Sequence, residues 1–304
     1  MRRFALLLGF LLAWQTWAVA DIIIEVDDPD YIEIGGLQYI VNNHYKHSVT
    51  VAGYTTNETQ IVIPSKVVYD SVEYIVTTIG DQSFRDNNGL ISVELPNTIT
   101  CIESNAFRHC IKLESVTIPN SVKKIGLGPF SECRSLTAIN IENGNSEYVS
   151  IDGVVYNTAM TKLIQYPANK SDTTFVVPNT IESIEYGAFS NCRNLVSIFI
   201  PNSVKSIEWW SFVGCGSLRY VEIPSSVTQI GQGAFSYCRK LEAIFIPKSV
   251  VEIGDRAFLT CPKLKIYSEA KSQPKDWFDK YDSKMVVWKS KREKFQRMIN
   301  RKQW

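Results

Sequence analysis

The chain has 304 residues, 45% of them hydrophobic and 21% charged, with 32 Lys+Arg against 31 Asp+Glu. That composition excludes an intrinsically disordered or collagen-like chain. The charge is unevenly placed. Residues 289–304 hold seven basic side chains against Glu293 alone (+6), whereas residues 21–288 hold 23 basic against 30 acidic ones (−7).

The N-terminus reads as an export signal over residues 1–20. Arg2 and Arg3 precede an apolar run from Phe4 to Trp14, and Ala18-Val19-Ala20 forms a small-x-small cleavage site before Asp21. The run is about eleven residues long, well short of the ~20 that span a bilayer as a helix.

A fixed period organises most of the remaining chain. Phe84, Phe107 and Phe130 recur every 23 residues, as do Phe189, Phe212, Phe235 and Phe258; the two series are separated by a 36-residue insertion. Pro96 and Pro119, then Pro178, Pro201, Pro224 and Pro247, keep the same beat. So do Cys110 and Cys133, then Cys192, Cys215, Cys238 and Cys261. In the unit from Leu218 to Lys240, LRYVEIPSSVTQIGQGAFSYCRK, the alternation of Val221 and Ile223 predicts a short strand ended by Pro224. Val227 and Ile230 mark a weaker extended piece, and Ala234, Phe235 and Cys238 a tight helical turn with one buried face. Coils of this kind stack into a rod around one continuous core.

The pattern L-x-x-[IV]-x-I-P-x-S-V-x-x-I-G-x-x-A-F-x-x-C resembles the BspA-like leucine-rich repeat family, over Ile61 to about Tyr267. The resemblance implies a leucine-rich repeat solenoid, with one short parallel strand and a tight helical turn per coil, closed by β caps. It divides the chain into a signal peptide (1–20), an N-terminal β cap (21–60), repeats 1–3 (61–140), a hairpin insertion unit (141–177), repeats 4–7 (178–266), a C-terminal cap (267–288) and a basic tail, helical in pattern (289–304). Several positions depart from it: Asn87 stands in the cysteine column, Glu103, Glu185 and Glu208 replace the glycine, and Pro129 and Ser211 replace the alanine. The first unit is nine residues longer, which suggests a hairpin around Tyr69 to Tyr74.

Six of the seven cysteines occupy one inward column. Stacked ~4.8 Å apart with parallel side chains, they suit buried thiols better than disulfides, which want Cβ atoms near ~3.8 Å; adjacent-coil pairing stays open. Cys101 lies outside the column and is a candidate exposed thiol. His44 and His47 lack a third ligand, His109 is a variable position, and no nucleophile–base pair or phosphate loop stands out. No catalytic, metal or cofactor residue is therefore expected, and the chain does not read as an enzyme.

Three features read as partner sites. On the outward strand positions, Phe199, Tyr220, Glu222 and Phe245 place aromatics on the C-terminal sheet face, either as a binding patch or packed against the cap or insertion. Between the glycine and Ala-Phe columns, Trp209 and Trp210, with Tyr186 one coil earlier, fill sites that are otherwise glycine or polar. They are either covered, by the insertion or a self-partner, or a binding hot spot. In the tail, Ser290 caps a predicted helix carrying Lys291, Arg292, Lys294, Arg297, Arg301 and Lys302, with Phe295, Met298 and Ile299 on one side. Asn57 and Asn169 head glycosylation sequons.

The family resemblance implies surface-associated binding of a host matrix or cell-surface protein. The tail alternatively suits a sulphated glycan or an anionic membrane, and Trp209, Trp210 or Cys101 suit self-association in a surface assembly. Nucleic acid is not expected as a partner.

Overall fold

The structure, a computed structural model, describes residues 31–43, 45–277 and 285–301. The signal peptide, His44 and Lys302 lie outside the described residues. Each regular coil carries two short strands, and the strands of successive coils pair in parallel, 23 residues apart. Tyr220–Glu222 and Gln229–Ile230 represent the two strands of one coil. Tyr220 pairs with Ala243 in one sheet and Gln229 with Glu252 in another. The weaker extended piece is therefore a true second strand: Gln229 faces outward while Ile230 turns into the core.

The tight turn is not helical. It consists of two successive four-residue turns, closed in this coil by Ala234 N–H to Gly231 C=O and Cys238 N–H to Phe235 C=O. The third residue of each is left-handed, Gly233 at φ 60° and Tyr237 at φ 60°, the signature of a type II turn. The two chain reversals bring Phe235 and Cys238 to the same interior without a helix.

Backbone bonds also run along the rod. Within the regular stretches the N–H of a column phenylalanine donates to the residue before the next column aromatic: Phe84 to Ala106, Phe107 to Pro129, Phe189 to Ser211, Phe212 to Ala234 and Phe235 to Ala257, all at 2.7–2.8 Å. The rings follow, stacked at 4.9 Å for Phe189–Phe212 and 5.0 Å for Phe212–Phe235. Five of the six column thiols donate to the carbonyl of the phenylalanine one coil back, as from Cys238 to Phe212 and from Cys215 to Phe189. All seven cysteines are free. Asn87 instead accepts from the N–H groups of Gly89 and Leu90, doing locally what a thiol does between coils.

An antiparallel sheet of Ile32–Ile34, Leu37–Asn43 and Ser48–Tyr54 covers the first coil. The extra residues of that coil form the hairpin Lys66–Tyr69 with Val72–Ile79, turned by Asp70 and Ser71, both left-handed. The 36-residue insertion is a three-stranded meander, Tyr148–Ile151, Val154–Asn157 and Lys162–Gln165, whose last strand pairs in parallel with Ser183–Ile184. The Tyr148 hydroxyl accepts the N–H of Ile125 and so ties the meander to the preceding coil. Val155 packs into the N-terminal core while Val154 and Tyr156 pack into the C-terminal one. Within the meander coil, Tyr166 takes the place of the column phenylalanine: it stacks on Phe189 at 5.1 Å, and its N–H donates to Ala188.

Phe212 is fully buried between two stacked rings, so Phe212→Ala is expected to destabilise the fold by about 3–5 kcal/mol. Chemical denaturation monitored by circular dichroism reads this directly. Lys205→Ala, at an exposed surface position, should shift stability by no more than about 0.5 kcal/mol.

Candidate binding surfaces

The basic tail folds as helix α1, Arg292–Arg301. Ser290 does not cap it; its hydroxyl donates to the Val287 carbonyl, and Lys291 supplies the first helical carbonyl, to Lys294 and Phe295. A ten-residue helix is marginal alone in water, so α1 depends on what it packs against. That surface is the aromatic sheet face. Phe295 is buried against Tyr220, Ala243 and Phe245, with Tyr267, Met298 and Ile299 closing the rim. Its ring lies 5.5 Å from Phe245 and from Tyr267.

The expectation of three exposed aromatics is therefore corrected. Tyr220 (6% exposed) and Phe245 (0%) are covered by the tail, with Tyr267 of the cap at the rim, whereas Phe199 stays 60% exposed beside Val176 on the sheet ladder. Glu222 is equally committed, as an anchor of the helix. It pairs with Arg292 at 3.3 Å and accepts from the side-chain amide of Gln296. Arg292 also donates to the Ile223 carbonyl and stacks over Phe245. Of the tail cations, Arg292 serves the helix dock, while Lys291, Lys294, Arg297 and Arg301 remain exposed. Beside the helix start, Lys248, Lys271, Lys289 and Lys291 line a shallow hollow together with Glu269 and Glu293.

The tryptophan pair splits. Trp209 is more than half exposed, while Trp210 lies half-buried across Gly233 of the next coil, where a Cβ would strike its ring. Trp210 also holds a left-handed backbone at φ 58°, uncommon for a bulky residue. The Tyr186 ring lies likewise on Gly128 of the preceding regular coil. Both side chains face a groove of about 760 Å³ along the turn edge of the rod.

The groove exists because the inserted coil is irregular. In regular coils the second left-handed residue donates its N–H to the next coil: Asp86 to Arg108, His109 to Ser131, Asn191 to Val213 and Gly214 to Ser236. Pro167 stands where the acceptor for Glu132 would be, and its carbonyl is taken by Lys170. Pro167 and Ala168 are buried, and Asn169 N–H bonds back to Leu136, which draws this turn inward. The flanking turns close over it until the Ser131 hydroxyl lies against Gly187.

Four arginines face this groove: Arg108, Arg134, Arg193 and Arg239. Arg108 is held by Glu132 through contacts of 2.7 and 3.0 Å. Desolvation, then repulsion from Arg134 and Arg239, pulls the Arg193 guanidinium below its ordinary range. Sequence reasoning missed these residues. Arg134, Arg193 and Arg239 each directly follow a column cysteine, so the same columnar reading contains them once that position is compared between coils.

Cys101 is half-buried, which corrects the expectation of an exposed thiol. Burial raises its pKa, the Glu103 carboxylate raises it further, and Lys124 partly opposes both. Among the described residues no group of three or more His, Cys, Asp or Glu side chains converges on a metal-sized site, and no helix is long and apolar enough to cross a membrane.

A stack of short parallel strands with inward leucine, isoleucine, phenylalanine and cysteine columns defines a leucine-rich repeat solenoid. The model of the BspA-type leucine-rich repeat region matches residues 54–171 and 166–273 in six copies, and the chain belongs to that family. Among solved structures, a leucine-rich repeat protein of Eubacterium ventriosum is similar at 20% identity with a TM-score of 0.56, over 77% of this chain and 76% of that one, and shares the fold. The pneumococcal vaccine antigen PcpA aligns at 18% identity and TM-score 0.49, over 86% of this chain and 98% of that one. A leucine-rich cell surface protein of Faecalibacterium prausnitzii aligns at 23% and 0.42, over 89% and 97%. No curated protein matches the chain.

Phe295→Asp should undock α1 and raise the rate of tryptic cleavage within 289–301 by about 10–100-fold, the equivalent of losing ~1.5–3 kcal/mol of apolar burial; limited proteolysis with mass spectrometry measures it. In the native protein a thiol reagent should modify Cys101 alone. Because the Cys101 pKa is raised, its thiolate is scarce at neutral pH, so labelling should accelerate only as pH climbs above the ordinary thiol range.

Proposed function

We propose that this chain is an exported, non-enzymatic recognition scaffold that acts at a cell surface. The observation that carries the reading is the alignment of variable side chains along one turn edge of a rigid, hydrogen-bonded ladder. Tyr186, Trp210 and Tyr237 come from three successive coils yet face one groove. In a solenoid the core columns are committed to stacking, so the outward columns are where recognition is written. The export reading of residues 1–20 supports delivery beyond the cytoplasm. Phe199 and Trp209 are the candidate protein contacts; Tyr220 and Phe245 are reserved for α1.

The test is twofold. Antibody against the folded chain should label intact, unpermeabilised cells, and the purified chain should bind immobilised host extracellular matrix saturably, with Trp209→Ala and Phe199→Ala each weakening binding at least fivefold. Label that appears only after permeabilisation, or no saturable binding, overturns the reading.

A second reading is favoured by the exposed Lys291, Lys294, Arg297 and Arg301 beside the lysine-lined hollow: attachment to an anionic surface. Under it the chain should bind vesicles containing phosphatidylserine at low salt and release at ~0.5 M salt, where screening lengths are only a few ångströms. Binding that persists in high salt would sink it.

A further inference from the structure

The groove across the insertion combines features that no packing role consumes. Its lining holds four arginines and one glutamate, a net charge of +3, on a body that is otherwise acidic. Arg108 is neutralised by Glu132. Among the described residues Arg134, Arg193 and Arg239 have no carboxylate partner, and they stand close enough to repel one another. Gathering guanidinium groups without carboxylate partners at one edge is unfavourable in the free protein and is relieved by an anion that bridges them.

The groove wall also carries polar groups without partners. The Ser131 and Ser190 hydroxyls lie beneath the groove wall, 4% and 1% exposed as residues, and make no hydrogen bond in the protein, as is also true of Ser83 and Ser211 elsewhere in the array. The Glu132 N–H, whose equivalents each donate to the next coil, makes no such bond here, and the Pro167 carbonyl at the acceptor position takes the Lys170 N–H instead. Three ring systems complete the lining: Tyr186, Trp210 and Tyr237, the last 43% exposed. Trp210 takes the left-handed turn position that other coils fill with Gln82, Asn105 or Arg256, and its ring lies across Gly233 of the next coil.

Resting on the recognition-scaffold reading above, we propose that this groove binds an acidic saccharide, a sugar bearing a carboxylate or sulphate group, through Arg134, Arg193 and Arg239, with Tyr186, Trp210 and Tyr237 packing on its ring faces. A guanidinium fork matches a carboxylate or sulphate edge. The C–H faces of a pyranose suit the aromatic walls. The volume, about 760 Å³, falls within the ~300–1,000 Å³ of small-ligand clefts. An acidic peptide would satisfy the arginines but leave the ring faces unused.

Isothermal titration of the full chain tests this with four probes: 3′-sialyllactose, a chondroitin sulphate tetrasaccharide, neutral lactose and hexaglutamate. The expected result is binding of at least one acidic sugar, no detectable binding of lactose, and at least tenfold weaker binding of hexaglutamate. Arg193→Gln and Arg134→Gln, both at exposed positions, should each weaken sugar binding at least tenfold with an unchanged melting temperature. The variant Lys291→Gln/Lys294→Gln/Arg297→Gln on α1 should leave it unchanged. The assignment is overturned if neither acidic sugar binds, if hexaglutamate binds as tightly, or if the α1 variant abolishes binding while the groove variants do not. Absence of sugar binding together with retained attachment to matrix would remove this assignment alone; loss of both would remove the scaffold reading as well.

Discussion

The backbone hydrogen bonds that run from one coil to the next set the terms for everything else in this molecule. The column phenylalanine's N–H donates at 2.7–2.8 Å to the residue before the next column aromatic, and the second turn residue repeats the same step two positions later. Both bonds require neighbouring turns in nearly the same conformation, because buried N–H groups must be paired. Sequence drift inside the columns is therefore narrow, and even the left-handed positions persist where glycine is absent, as at Gln82, Asn105, Trp210 and Arg256. Ring stacking and the thiol-to-carbonyl bonds result from that repeat.

A ladder of this kind makes an irregular coil consequential. The meander keeps the parts of a coil that feed the interior: Leu163 and Tyr166 are buried, and Tyr166 continues the aromatic stack on Phe189. It gives up the part that feeds the outer edge. Proline at 167 has no N–H and offers its carbonyl to Lys170, so the turn folds inward and the edge bonds lapse for one step. Interior continuity with exterior discontinuity is what turns a smooth edge into a groove, and the unpaired arginines gather at that discontinuity.

At the other end, apolar burial and charge act together on one short helix. The sheet face of Tyr220 and Phe245 is too apolar to leave in water, and α1 is too short to persist unsupported. Phe295 resolves both, while Glu222 takes up part of the tail's positive charge through Arg292 and Gln296. The remaining cations stay on the solvent side, so the docked tail changes an aromatic face into a basic one.

Much of this was legible in the sequence. A period shared by phenylalanine, proline and cysteine columns admits only a stacked solenoid, since each coil must bury the same set of residues. The same columns favoured buried thiols and a hairpin in the first coil, while the family resemblance implied a hairpin unit in the middle, which the fold extends to a three-stranded meander. The apolar side of the tail, Phe295 with Met298 and Ile299, was visible as well, but what it would cover was not. That contact joins residues up to 74 apart that have no periodic relation, as between Gln296 and Glu222. The groove lay beyond the sequence for a related reason. Arg134 and Arg193 occupy equivalent columns separated by the insertion, and their nearness depends on how one proline redirects a single turn. Columns state which residues face inward or outward; only the folded path decides which outward residues meet.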